Sequence, residues 1–304
     1  MAFSASDAAV EGFRIARREP KAIAAWSVVQ LIFGVVLAVA TMPFARSMAA
    51  MQSIGVADRA NPAAVMAKLE PSLGFIGAII PLELVLLAVL SAAVYRVVLR
   101  PEEKGLARLK LGADELRLGI LWIELGLFLA AVGFLALIPL TMVFTVLGVA
   151  AKAAPENAIA LLSASYLVLL ALYAWLGVRF SLAGPLTFAR REVRLFSAWR
   201  LTKGRFWPLF GCYLLTFIFM LSIGMVQLCV EGVVALAMSG GNLAQAGASI
   251  MHPDYTSLQS YFSPARVVIL LFNAALGGIY WSVAWAPAAL AYKEIVGVSP
   301  PAQA

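Results

Sequence analysis

Charge is scarce in this sequence: Asp, Glu, Lys and Arg supply 13% of 304 residues, against 62% hydrophobic residues and a mean hydropathy of +0.92. That is far more apolar surface than a soluble core of this length needs, so the chain reads as a polytopic membrane protein. Histidine is nearly missing; a single His252 excludes a multi-histidine metal site, and no CxxC, HExxH, P-loop or GxGxxG pattern occurs. No metal and no cofactor is therefore expected. The two cysteines, Cys212 and Cys229, fall on one predicted helix. They stand roughly 25 Å apart at a rise of about 1.5 Å per residue, too far to pair. A cleavable leader is not expected, because the first 22 or so residues are polar and the apolar run after them is too long for a signal core.

Acids are the scarcer sign, 16 against 23 Lys and Arg, for a net charge of +7. The cations sit beside apolar runs, which makes anionic lipid head groups the expected counter-charge and excludes nucleic acid as a partner. Six apolar runs are long enough to cross the membrane, at roughly 23–43, 74–99, 118–149, 158–183, 207–237 and 266–292. The third and fifth are overlong, and are expected to tilt or to project beyond the outer leaflet after Pro139 and near Gly224. Counting cations by side gives 18 on the side of the N-terminus, the 96–117 and 179–205 connections and Lys293, and 5 on the other. This asymmetry places both termini in the cytoplasm. All seven tryptophans, Trp26, Trp122, Trp175, Trp199, Trp207, Trp281 and Trp285, fall near the same ends of the spans, as expected for a head-group belt.

A basic amphipathic segment precedes spans one, three and five: REPKAIAAW (18–26), DELRLGILW (114–122) and TKGRFWPLF (202–210). Each sets a cation (Lys21, Arg117, Arg205) five residues before a ring (Trp26, Trp122, Phe210), and the spacings of 96 and 88 residues match the span pairs. The reading is an all-α membrane protein of one integral domain, residues 1–304. Its six transmembrane helices form three parallel repeats, roughly 7–99, 103–183 and 186–295, each an interfacial helix plus a hairpin.

The most basic stretch is Leu186 to Phe210, with Arg190, Arg191, Arg194, Arg200, Lys203 and Arg205 set among Phe196, Trp199 and Trp207. Apolar residues recur between the charges at helical spacing, which predicts an interfacial helix with its rings in the acyl boundary and its guanidinium groups at phosphates. The alternative is a solvated loop that obeys only the positive-inside rule.

Three carboxylates, Glu83, Glu124 and Glu231, lie inside apolar spans, where each asks for a partner or a function. Glu124 is at the depth of Arg96 and Arg179, and an ion pair with one of them is expected. Glu83 and Asn273 are level near the other face and can share a hydrogen bond, whereas Glu231 is near enough to its span end to reach water. Ala274 and Gly278 offer a small-residue contact face for a second copy. Asn61-Pro62 and Ser263-Pro264 read as helix starts, the first of a short helix over 62–69 and the second of span six. No nucleophile, base and acid in HPDYTSLQSYF (252–262) make a catalytic set, so the chain is not expected to be an enzyme.

SAWRLTKGRFWPLFG (197–211), preceded by Arg179 and Gly184-Pro185, resembles the membrane domain fused to some bacterial glycerophosphoryl diester phosphodiesterases and related stand-alone six-span proteins. The resemblance implies an all-helical module of the bacterial inner membrane; 304 residues leave no room for the soluble barrel, so hydrolase activity is not carried over. The expected role is engagement of anionic lipids of the inner leaflet, or of an envelope protein, through the basic helices. A small-solute or lipid permease is the alternative.

Overall fold

The computed structural model describes residues 4–52, 62–103, 105–150, 155–251, 254 and 257–297, and among them every element is helical. In chain order these are α1 (Ala5–Arg18), α2 (Pro20–Gln52), α3 (Pro62–Leu99), a single 3-10 turn (Leu106–Arg108), α4 (Ala113–Ala150), α5 (Pro155–Phe180), α6 (Ala183–Arg190), α7 (Leu195–Thr202), α8 (Phe206–Met238), α9 (Leu243–Met251), α10 (Leu258–Tyr261) and α11 (Pro264–Val296). Six of the helices, α2, α3, α4, α5, α8 and α11, are long and apolar enough to cross a membrane. The protein is all-α and polytopic.

Local chemistry sets the boundaries. Ser4 caps α1, its Oγ accepting from the Asp7 N–H at 3.3 Å, and Arg17 and Arg18 occupy the last turn, where cations favour the helix dipole. Pro20 then opens α2, and Pro264, behind Ser263, opens α11 as its sequence promised. Pro62 likewise opens α3, but the helix continues without interruption to Leu99 and does not stop near residue 69. Asn61 and His252 lie outside the described residues. The overlong spans are continuous helices of 38 (α4) and 33 (α8) residues. At about 1.5 Å per residue they are roughly 57 and 50 Å long, well beyond ~30 Å of hydrocarbon.

The last span, α11, is the hub, packing against α1, α2, α3 and α8; α4 joins through α3, and α5 through α4 and α8. Lipid chains give helices no hydrophobic reason to associate, so close backbone approach has to supply the contact energy. Gly278 meets the carbonyl of Ile23 on α2, where a Cβ would overlap it, and the Ser27 hydroxyl lies within this contact, donating to Ala275 O at 3.1 Å. The Gly278 end of that small-residue face is thus filled by α2 of the same chain, while Ala274 lines a cleft beside α2. Gly12 of α1 abuts the Val283 backbone in the same way, and Ser282 Oγ donates to Gly12 O at 2.8 Å.

The core is concentrated at the basic ends of the spans. Trp26, Leu90, Tyr95, Leu118, Leu121, Leu182, Phe188, Leu209 and Tyr292 are fully buried there. Farther along, Leu127 and Phe134 on α4 and Phe217 on α8 are each more than 60% exposed, an apolar coat suited to lipid and not to water. Among the described residues the bundle is closed at its basic end and looser toward the other.

Candidate functional site

The basic end is built on Arg96, the last-turn cation of α3, which is 1% exposed. Its Nη2 meets Glu115 Oε1 at 2.5 Å, its Nε lies 3.4 Å from Glu103, and its Nη1 donates to the Arg108 carbonyl. Arg100, one turn on, pairs with Asp114 at 2.8 Å, donates to Phe188 O at 2.7 Å and stands 4.4 Å over the Phe188 ring. Arg108 donates to Pro101 O and Glu103 O and pairs with Glu19 at 3.0 Å, while Trp26 Nε1 donates to Ala107 O. These contacts hold the α3–α4 connection in a fixed loop, with Ala107 and Arg108 at positive φ. In the second of the expected repeats the amphipathic segment 114–122 is helical but is simply the start of α4, and residues 106–108 before it form a 3-10 turn whose backbone groups are taken by side chains. Lys110 donates to Glu103 at 2.9 Å. Burial raises the Glu103 pKa, but the Lys110 hydrogen bond and the charges of Lys110, Arg100 and Arg96 outweigh it and hold the carboxyl below its ordinary range. An open basin of about 590 Å³ lies over this cluster, with Arg191 on its rim.

The stretch from Leu186 to Phe210 is not one interfacial helix. It breaks at Arg191, whose φ of 57° ends α6, and again at Gly204, φ 77°, between α7 and α8. The apolar face of α6 is consumed by the core, since Leu186, Thr187 and Phe188 are buried, so this helix comes to the surface only at its end, with Arg190. On α7, Trp199 lies edge-on to Trp175 and beneath Arg179, whose guanidinium is 5.3 Å from its ring, and Arg179 also donates to Thr202 O. Trp199 is thus a packing ring. Phe196 and Trp207 are the outward rings, 59% and 75% exposed, beside exposed Arg190, Arg191, Arg200, Lys203 and Arg205; Arg194 pairs with Glu192.

Glu124 is exposed on α4 and takes neither arginine: Arg96 belongs to Glu115 and Glu103, and Arg179 to Thr202 and the rings. Glu115 and Glu124 are nine residues apart, about two and a half helical turns, so they point to opposite sides. Glu83 is likewise exposed on α3, and its expected partner is taken. Asn273 Nδ2 donates to Glu231 Oε1 at 2.6 Å. Glu231 is half-buried between helices.

That pair stands in a cleft of about 560 Å³ between α2, α8 and α11, with Gln30, Gln227 and Tyr280 also on its walls. Trp281 Nε1 donates to Gln30 Oε1 at 2.7 Å. Glu231 also lines a smaller cavity of about 240 Å³ with Ser239, Gln245 and Arg266, toward the end of the bundle away from the basic face. Searches with this chain find no matching family model, no matching curated protein and no matching solved structure. Neither the basic face nor the cleft therefore inherits a role from a relative.

Sequence reasoning missed Glu115, Arg108, Gln30 and Gln227. Glu115 and Arg108 flank the span and read as ordinary connection charges. The two glutamines are neutral, and only their meeting with Glu231 and Asn273 marks them. Both cysteines are free, Cys212 buried and Cys229 exposed. Among the described residues no group of His, Cys, Asp and Glu is assembled to hold a metal.

Proposed function

We propose that this membrane protein engages anionic lipid at its basic face, which we assign to the cytoplasmic side of a bacterial inner membrane. One observation carries the reading: the four acids of the α3–α4 cluster are held by arginines inside it, so they do not neutralise the exposed cations of the 190–205 stretch. Glu115, Glu103, Asp114 and Glu19 serve Arg96, Arg100 and Arg108, whereas Arg190, Arg200 and Lys203 are exposed around the outward rings of Phe196 and Trp207. Cations at a negative surface contribute about 1 kcal/mol each and are screened by salt, while ring insertion is not. The likeness of residues 197–211 to stand-alone membrane modules carries no activity over to this chain, and we assign no catalytic role.

The test uses the full chain in nanodiscs of mixed phosphatidylglycerol and phosphatidylcholine, with lipids retained after detergent extraction identified by native mass spectrometry. The wild type should enrich phosphatidylglycerol, less so at high salt, and Arg190→Glu with Arg200→Glu and Lys203→Glu should lower that enrichment by roughly tenfold. Equal retention by wild type and triple variant removes the proposal.

The cleft favours a second reading, a permease for a small solute or a lipid, since polar side chains deep in a span mark transport paths more often than structure alone requires. Under that reading Asn273→Leu abolishes flux in proteoliposomes while phosphatidylglycerol enrichment is kept.

A further inference from the structure

We propose that the cleft between α2, α8 and α11 is a binding site for an organic ammonium group, with Glu231 as counter-ion, Asn273 Oδ1 as acceptor and aromatic side chains as walls. This is independent of lipid capture at the basic face.

Three observations converge. The first is an uncompensated charge: Glu231 is half-buried in a span, its hydrogen-bond partner is the neutral Asn273, and among the described residues no Lys or Arg forms an ion pair with it. A carboxylate at such depth is costly without a positive partner. The second is an orphan acceptor. An ionised carboxylate only accepts, so it turns the Asn273 amide to present Nδ2, and this leaves Oδ1 buried with no hydrogen-bond partner. A ligand that donates completes both groups at once. The third is the wall: Phe217, Tyr280 and Trp281 line the same cavity, and ring faces attract a desolvated cation.

Size and access set the ligand class. About 560 Å³ is room for an organic group and generous for a bare metal ion, and the residues lining it include no cation to repel one. Phe217 and Leu221 on the cleft wall are exposed to the acyl region, which admits the head of an amine-bearing lipid sideways. Toward the far face Glu231 also lines the smaller cavity, whose wall carries Arg266, so a soluble amine is expected to seat in the cleft, which has no cation on its walls. The shared chemistry is the ammonium group, and the two sources are separable by experiment.

The full-length protein is placed in phosphatidylglycerol nanodiscs with and without phosphatidylethanolamine, and separately titrated with ethanolamine and with its uncharged carbon isostere 1-propanol, following tryptophan fluorescence, to which Trp281 on the cleft wall contributes. Selective retention of phosphatidylethanolamine by native mass spectrometry supports the lipid source; a saturable ethanolamine response without a 1-propanol response supports the soluble one. Glu231→Gln and Asn273→Leu should each weaken the responding arm by at least about tenfold, whereas Glu124→Gln, on an exposed acid outside the cleft, should leave it unchanged. The comparison of ethanolamine with 1-propanol on the wild type decides the matter even where a variant fails to fold. No response in either arm, an equal response to the uncharged isostere, or a response to Mg²⁺ in place of the ammonium probes overturns the proposal.

Discussion

Arg96 is the residue on which most of the basic end depends, because its guanidinium joins α3 to Glu115 of α4 and to the intervening loop at Glu103 and the Arg108 carbonyl. Arg96→Ala leaves Glu115, itself buried, without a counter-charge, and should cost about 3 kcal/mol, read as a lowered unfolding temperature in detergent. Glu124→Gln should change nothing, and a comparable loss in the two variants would mean the pairing is wrong. Acid acts on the same cluster through Glu103. Its folded pKa lies below the ordinary value, so the stability it contributes is complete above the unfolded glutamate pKa, about 4.3, and is lost as pH falls through the lower folded value. Unfolding temperatures of wild type and Glu103→Gln should therefore differ at pH 6 and converge as the pH falls below the ordinary glutamate range, with no convergence expected if Lys110 and the arginines do not hold this carboxyl. Residue partners were the least legible feature of the sequence. Counting along a helix gives height in the membrane, which is why Arg96 and Glu124 looked level, but it does not give the side of the helix. Glu115, two and a half turns away, faced Arg96, and Glu231, not Glu83, faced Asn273.

Among elements, α1 shows how a polar helix is fastened to a membrane bundle. Its contact with α11 depends on Gly12, where any side chain would meet the Val283 backbone, which has no rotamer by which to retreat. Gly12→Leu should displace α1 and cost about 2 kcal/mol or more, with the first residues becoming open to proteolysis; Gly34→Ala, facing open space, serves as the control. An unaltered digestion pattern in Gly12→Leu would show that the helix is not seated there. The spans themselves were legible, since an apolar run of about 20 residues matches the thickness of hydrocarbon and suits little else. The short helices were not. Basic amphipathic spacing predicted three alike, but 114–122 runs straight into α4 behind a 3-10 turn at 106–108, and the 186–210 stretch breaks at Arg191 and Gly204; these are decided by positive φ and by side chains that take up backbone groups, information that periodicity does not carry.

At the scale of the whole molecule the distribution of cations and rings predicts one orientation. The seven tryptophans do gather at the end where Arg96, Arg100 and Arg108 are locked, through contacts such as Trp122 with Trp285, Trp175 with Trp199, and Trp26 with the 3-10 turn. With that end in the cytoplasm, a reporter active only in the periplasm should be silent when fused after Val296 and active when inserted near Gly247; the opposite pattern inverts the assignment.

The seat of α1 on α11 also orders events during synthesis. Gly12 and Ser282, which share a hydrogen bond, are separated by 270 residues, so α1 lacks this half of its seat until α11 has been made, although α8, which takes Ala8, Ala9 and Phe13, is made earlier. At ~5–20 residues per second that interval is about 15–50 s. Throughout it, the Gly12 face of α1 is uncovered. Docking of α11 on α1, α2, α3 and α8 is then expected to be the step that makes the nascent chain resistant to quality-control proteases, and ribosomal stalling before residue 264 should yield fully inserted but rapidly degraded chains.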